Sequence, residues 1–445
     1  MTLLLNLVLA VLMLLPQQQD QKARQGTYAI TNARIETVAN GTIENGTVVI
    51  EGDRIIAVGA NVAIPAGAEV IDGTGLQLYP GMIDSGTNLG LNEVGSVDET
   101  NDTNEIGDIT PHMSALTAVN PNSVAIPVTR VSGVTTVVSE SAGGLLPGTA
   151  AVINLYGYTA EQMTAGSEML ILNFPQEPSG AAQGWGPQRS AQERKKGYED
   201  AIAKLDEVFD RAELYDRIMT AYAASPAGKA EPVYAPEMDA IRPVLSGDRT
   251  LMLKVNAEGD ILKAIDWVKE RELPNVVFSG VSEGWRVADK LAEAGIACMV
   301  GPVLATPTRS SDRYDKAYAN AGLLSQAGVK VAIRSGETEN VRNLPFNAGF
   351  AAAYGMGQEE ALKAVTLNAA EVLGISDDYG SIEVGKKANM FISTGDPFEP
   401  STQILALFID GFNVPMESRH IDLYREFLNR DEGRLQPMEV LPADN

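Results

Sequence analysis

The spacing of apolar positions changes twice along the chain. From Thr27 onward, short apolar stretches are parted by turn residues. TYAITNARIETV is followed by GTVVIEGDRIIAVG, whose two apolar runs flank Glu51-Gly52-Asp53 and predict a hairpin. AEVIDGTGLQLYPG adds another strand and a Gly-rich turn, and the same texture returns near the C-terminus in GSIEVGKKANMFIST and ILALFIDGFNVP. Between these ends, short apolar runs alternate with segments of helical spacing. That alternation predicts a parallel sheet with crossover helices. The strand positions read as 81–87, 134–140, 151–156, 169–174, 251–256, 276–280, 298–303 and 330–335.

Eight strands are what a closed (β/α)8 barrel needs, and nearly three hundred residues suit one with insertions. The fold class expected is therefore α/β, a TIM-type barrel over residues 80–375. A small β-sandwich module would be built from both flanks, 26–79 and 376–420, with a tail over 421–445. The segment SAQERKKGYEDAIAKLDEVFDRAELYDRIMTAYAA has helical spacing, with Ile202, Leu205, Phe209 and Leu214 near one face. It reads as an outer helix without chemistry.

Composition narrows the function classes. At 445 residues, 44% hydrophobic and 21% charged, the chain can bury a sizeable core. With 58 acidic against 34 basic residues the formal charge is −24, which argues against nucleic-acid binding, since phosphates need basic patches. The excess reads as a strongly solvated surface. One cysteine, Cys298, lies in an apolar run, so no intrachain disulfide and no cysteine metal site can form. The opening run Leu3–Leu15 has the length of a signal-peptide core rather than of a membrane span. Residues 1–25 are thus expected to be an export signal and linker, and the protein periplasmic or extracellular.

Several phrases carry a resemblance: PGMIDSGTNLGLNEVG, NEIGDITPHMSALTAVNP, GVTTVV, AVINLYG, GWRVADKLAEAGI, GVKVAI, ALKAVTLNAAEVLGI and GSIEVGKKANMFISTGDP. In this order the chain resembles the amidohydrolase superfamily, in particular its imidazolonepropionase-like branch, from about Thr27 to Val414. The resemblance implies a hydrolase of C–N or similar bonds. Its one or two divalent ions would sit at the C-terminal ends of the barrel strands. Histidines of strands one, five and six and an aspartate of strand eight would hold them, with a carboxylated lysine in some branches. Such a metal lowers the pKa of bound water so that hydroxide attacks the substrate.

Position by position, the ligands that the resemblance calls for are replaced. Gly86 and Asn88 stand where strand one would carry its histidine pair, and Asn256 and Glu258 stand at strand five. At strand six the position falls among Ser279 to Ser282, and Gly336 stands for the aspartate of strand eight. The whole chain has two histidines, so a site needing four imidazoles cannot be assembled. His420 lies beyond the terminal sheet. His112, in ITPHMSAL, reads as a capping or packing residue after a helix start.

Other chemistries find little support. The run NEVGSVDETNDTNEIGD holds six acids but lacks the spacing of a calcium loop. It reads as an acidic loop over the barrel mouth, with Glu93 and Glu105 shaping the pocket. Paired carboxylates of glycosidase type would have to come from Glu258, Glu283 and Glu337.

The expectation is an amidohydrolase-like protein without its metal, binding no cofactor. Gly86, Asn88, Asn256, Ser282 and Gly336 mark the vestigial positions. Asp84, Glu93, Glu105, His112, Lys254, Glu258, Glu283 and Arg334 are the candidate pocket residues. Such a scaffold would serve as a homo- or hetero-oligomeric subunit, beside a metal-competent paralogue, or as a small-molecule binder. The alternative is a C–N hydrolase with an atypical centre. One electrostatic expectation is specific. With period-two alternation Arg334 points into the barrel, and an inward Arg needs a carboxylate. Asp84 or Glu258 would supply it, with Lys254 assisting.

Overall fold

The computed structural model describes residues 22–178 and 190–429. Residues 1–21 of the expected export signal and linker, 1–25, lie outside the described residues.

Eight strands form the central sheet: Met82–Thr87, Val134–Glu140, Gly148–Asn154, Met169–Asn173, Leu251–Val255, Val276–Gly280, Ala297–Val300 and Val331–Ile333, adjacent in chain order. The barrel closes at a seam with few bonds. Gly336 N–H donates to Gly86 O at 2.9 Å and Ser85 Oγ donates to Ile333 O at 2.8 Å. Alternation sorts the side chains into two layers. Val138, Ile171, Met252, Val277, Met299 and Ala332 belong to one buried cluster, while their strand neighbours Leu253, Phe278 and Cys298 belong to another that packs on the outer helices.

The third strand departs from the expectation. It starts at Gly148 rather than 151, and it runs antiparallel to both neighbours, with Glu140 opposite Ala150 and Ile171 opposite Gly148. The reason lies in the short connection 141–147. Parallel strands need a crossover of a dozen residues or more, whereas a hairpin needs only a few. Gly143 and Gly144, both with positive φ, make the turn. Asn173 Nδ2 clasps it through Gly143 O at 2.9 Å and Gly144 O at 2.8 Å.

The helix Ala191–Ala224 forms as expected, opened by a capping box between Ser190 and Glu193. Its buried stripe is Leu205, Val208, Phe209, Ala212 and Tyr215, while Leu214 is half exposed. At the end of the stripe Tyr215 rather than Leu214 turns inward, and its Oη accepts from Ala235 N–H at 3.4 Å, just before the helix Pro236–Ser246.

Both ends of the chain meet in a nine-stranded sheet, in which Gln77–Pro80 pairs with Met390–Ser393. Arg24–Gln25, expected to be linker, pairs with Phe412 and Asn413. Beyond this sheet, where a tail was expected, Arg419–Leu428 is helical and capped by Ser418. A buried polar network ties the module to the foot of the barrel. Asn154 Nδ2 donates to Asp410 Oδ2 at 2.8 Å and to Tyr379 Oη at 3.0 Å, and Asn389 Nδ2 donates to Asn154 Oδ1 at 3.0 Å.

Candidate functional site

The C-terminal ends of the barrel strands are where such folds place their chemistry. Glu140, the last residue of the second strand, occupies the centre, and its side chain is 4% exposed. Its Oε2 accepts from Arg334 Nη2 at 2.9 Å and from Lys254 Nζ at 2.7 Å. The other terminal nitrogen of Arg334 donates to Ser279 Oγ. Four strand ends, the second, fifth, sixth and eighth, are thus joined by one ionic cluster. Burial alone would raise the Glu140 pKa, but the flanking Arg334 and Lys254 charges outweigh it and hold the carboxyl below its usual range.

Arg334 therefore does turn inward and does find a carboxylate, with Lys254 assisting. The partner is Glu140 rather than Asp84 or Glu258. Sequence reasoning missed Glu140, although its parity with inward Val138 was a usable signal. Asp84 is fully buried at the seam. Its Oδ1 accepts from Ser335 N–H at 3.0 Å and Gly86 N–H at 3.1 Å, while its Oδ2 has no hydrogen bond. Burial pushes this carboxyl up to about 6, against the lowering effect of those donors and of Arg334.

The positions assigned to metal ligands by resemblance are engaged otherwise. At Gly86 a Cβ would lie 2.4 Å from Glu140 Oε1 and 2.6 Å from Arg334 Cζ, so the ion pair fills the space of a side chain. Asn88 Oδ1 accepts from Thr338 N–H and Oγ1, both at 2.8 Å. Asn256 Oδ1 accepts from Ser282 Oγ at 2.9 Å. Gly336 has φ of 91°, a left-handed conformation that favours glycine.

A second ionic group sits on the rim. Buried Glu283 accepts from Arg309 Nε at 2.6 Å, Thr308 Oγ1 at 2.8 Å and Glu258 N–H at 2.9 Å, and Glu258 also meets Arg309 at 3.1 Å. Burial would raise the Glu283 pKa; the Arg309 bonds outweigh it and lower it. Arg309 belongs to the loop after the seventh strand and was not anticipated. Beside Ser282 lies a cavity of about 60 Å3 lined by Trp285, Asp312, Lys316 and Asn320.

The remaining candidates do not join these groups. Glu93 accepts from Asn120 Nδ2 at 3.1 Å, and Glu105 is exposed. The acidic loop reaches the mouth through Asp108, whose Oδ1 accepts from Leu145 N–H at 2.9 Å in the turn 141–147. His112 is exposed and precedes the short helix Ala115–Ala118 instead of following a helix start. His420 stands in the C-terminal helix, 3.5 Å from Arg342.

Residues 256–414 match the amidohydrolase family. The imidazolonepropionase of Syntrophobacter fumaroxidans is 33% identical over 109 residues, and the match spans 24% of either chain, about a quarter of that relative's length. The imidazolonepropionase of Fusobacterium nucleatum is 24% identical over 392 residues, covering 80% of this chain and 86% of the relative. Among solved structures, an amidohydrolase from Thermotoga maritima superposes with a TM-score of 0.74 at 25% identity, covering 87% of this chain and 99% of the other. Molinate hydrolase superposes with a TM-score of 0.54 at 15% identity, covering 94% and 99%, a likeness of fold alone.

Proposed function

Starting from the amidohydrolase-superfamily membership that the matched domain and the shared fold support, we propose that this chain is a member without its metal centre. It acts as a non-catalytic subunit beside a metal-competent relative, or as a small-ligand-binding partner of one, in an exported oligomer. The observation that carries the reading is the ion cluster at Gly86. Glu140 and Arg334 occupy the space in which a ligand side chain from strand one would stand. Asn88 and Asn256 are neutral amides whose oxygens already accept hydrogen bonds within the protein. Among the described residues no group of three or more His, Cys, Asp or Glu could hold a metal ion. These neutral amides and the ion pair do not fit a divalent centre. In its place Arg334 and Lys254 supply fixed positive charge on the strand ends.

The test is elemental analysis of protein purified from its native host and again after incubation with zinc, alongside identification of whatever co-purifies. The expected result is substoichiometric zinc, iron and manganese, together with recovery of an oligomer. A stoichiometric transition metal retained through gel filtration, with hydrolysis of an imidazolone or other cyclic amide that chelation abolishes, would overturn the reading in favour of a working C–N hydrolase.

A further inference from the structure

A second site lies at the opposite end of the barrel from the ion cluster. The strand Gln77–Pro80 leads directly into the foot of the first barrel strand. Around it, the turn 37–42, the helices Gln358–Ala364 and Leu367–Val372 and residues 396–398 enclose a cleft of about 800 Å3. This is the size of small-molecule sites, which run to roughly 300–1,000 Å3. Its apolar wall comes from Val38, Tyr79, Leu362, Leu367 and Phe398.

The charges on its rim are already spoken for. Arg34 pairs with Glu36 at 2.8 Å, and Lys363 pairs with Glu359 at 2.8 Å and Glu360 at 2.9 Å. Asp396 accepts from Gln358 Nε2 at 2.6 Å and from Phe398 N–H at 2.9 Å. Two amides remain open. Gln77 Oε1 accepts from the Tyr79 hydroxyl, which leaves its NH2 group free, and Asn368 makes no side-chain hydrogen bond among the described residues.

A second observation falls on the same cleft. Val38 has φ of 69°. A β-branched residue rarely enters this left-handed region, and holding one there costs on the order of 1–3 kcal/mol. Thr37 imposes the turn. Its Oγ1 donates to Gly41 O at 2.6 Å and accepts from Asn40 N–H at 2.9 Å. Such strain gathers at ligand clamps.

We propose that this cleft binds a small uncharged molecule with a flat apolar body and a carboxamide-like edge. The body lies against the wall of Val38, Leu362, Leu367 and Phe398, and the polar edge meets the open amides of Gln77 and Asn368. A charged ligand is disfavoured, because Arg34 and Lys363 already meet carboxylates, both oxygens of Asp396 already accept from neutral N–H donors, and a newcomer would be buried unpaired. The inference is independent of the reading of the barrel mouth.

Three probes of one shape test it: benzamide, benzoate and benzamidine, titrated into the full chain by calorimetry or saturation-transfer NMR. Benzamide should bind saturably with a Kd of roughly millimolar, as befits a fragment of its size. The anion and the cation should each bind about tenfold more weakly or worse. Leu362→Trp fills the cleft, and Asn368→Leu removes one open amide. Each should weaken benzamide at least about tenfold, while the urea midpoint stays put. Absence of saturable benzamide binding, equal or tighter binding of either ion, or binding that survives both substitutions in folded protein would each overturn the proposal.

Discussion

Replacing Glu140 by glutamine tests whether the ion cluster holds the barrel mouth together. The substitution keeps the shape of the side chain and removes its charge. Arg334 and Lys254, 2.9 and 2.7 Å from the same oxygen, would then face each other without a counter-ion. At an effective dielectric of about 20, each contact carries about 6 kcal/mol of attraction before desolvation is subtracted. Lys254 is 23% exposed and recovers part of its hydration, whereas Arg334 is 10% exposed and recovers little. Breaking a buried pair by removing one partner typically costs about 3–5 kcal/mol, and that range is expected here. The double variant Glu140→Gln/Arg334→Met leaves only the hydrated Lys254, so it should regain most of the loss. Urea unfolding followed by far-UV circular dichroism reads both: the midpoint should fall for the single variant at unchanged slope and rise again for the double. A single variant within about 1 kcal/mol of the parent, or a double variant no more stable than the single, would refute the reasoning.

Three further outcomes are expected. Gly86→Ala drives a Cβ into Glu140 and Arg334 and should destabilise by about 1–3 kcal/mol in the same unfolding assay; a neutral effect would mean the cluster gives way freely. Arg309→Met removes the main partner of buried Glu283, and limited proteolysis should cut the loop 301–315 faster, with a loss of about 1–2 kcal/mol. Asp84→Asn addresses pH. The native Asp84 pKa lies at about 6 against an ordinary 3.8, so its favourable contribution is present below 3.8 and is lost as pH rises through 6. The amide cannot titrate, so the variant should gain about 2 kcal/mol on the parent between pH 4 and pH 7, seen as diverging urea midpoints; parallel pH profiles would rule the buried Asp84 out as their source.

What could be read in advance followed from periodicity. Val134–Glu140 and Val276–Gly280 were legible to the residue because each opens on a run of β-branched or aromatic residues directly after turn residues. The reversed third strand was not, since an apolar run does not say which way it points. Only the length of 141–147 carried that information. At the mouth, the inward direction of Arg334 followed from alternation, yet the choice of Glu140 over Asp84 did not. Alternation assigns faces, whereas partner choice depends on which strand ends stand at the same height. The register shift between Asp84 and Thr87 moves Asp84 to the seam, where Ser335 N–H takes its oxygen. Arg309 was out of reach for another reason. Its loop has no period, and its pairing with Glu283 spans 26 residues that only the fold brings together.

The ion cluster and a side chain at position 86 exclude one another. Arg334 comes from the eighth strand and Glu140 from the second, and the first strand runs between them. The bridge can cross that strand only where the strand has no side chain, and Gly86 is that place. The crossing also lies at the seam, where the barrel has its fewest backbone bonds. The charge pair therefore does structural work that ladder bonds do elsewhere in the sheet. A histidine introduced at 86 alone would not find room beside this pair. It would displace Arg334 and Glu140 and leave both charges buried without partners, on top of the strain of the added ring. A side chain at 86 and the Glu140–Arg334 pair are thus alternative packings of the same centre, and position 86 can change without loss only if 140 and 334 change with it.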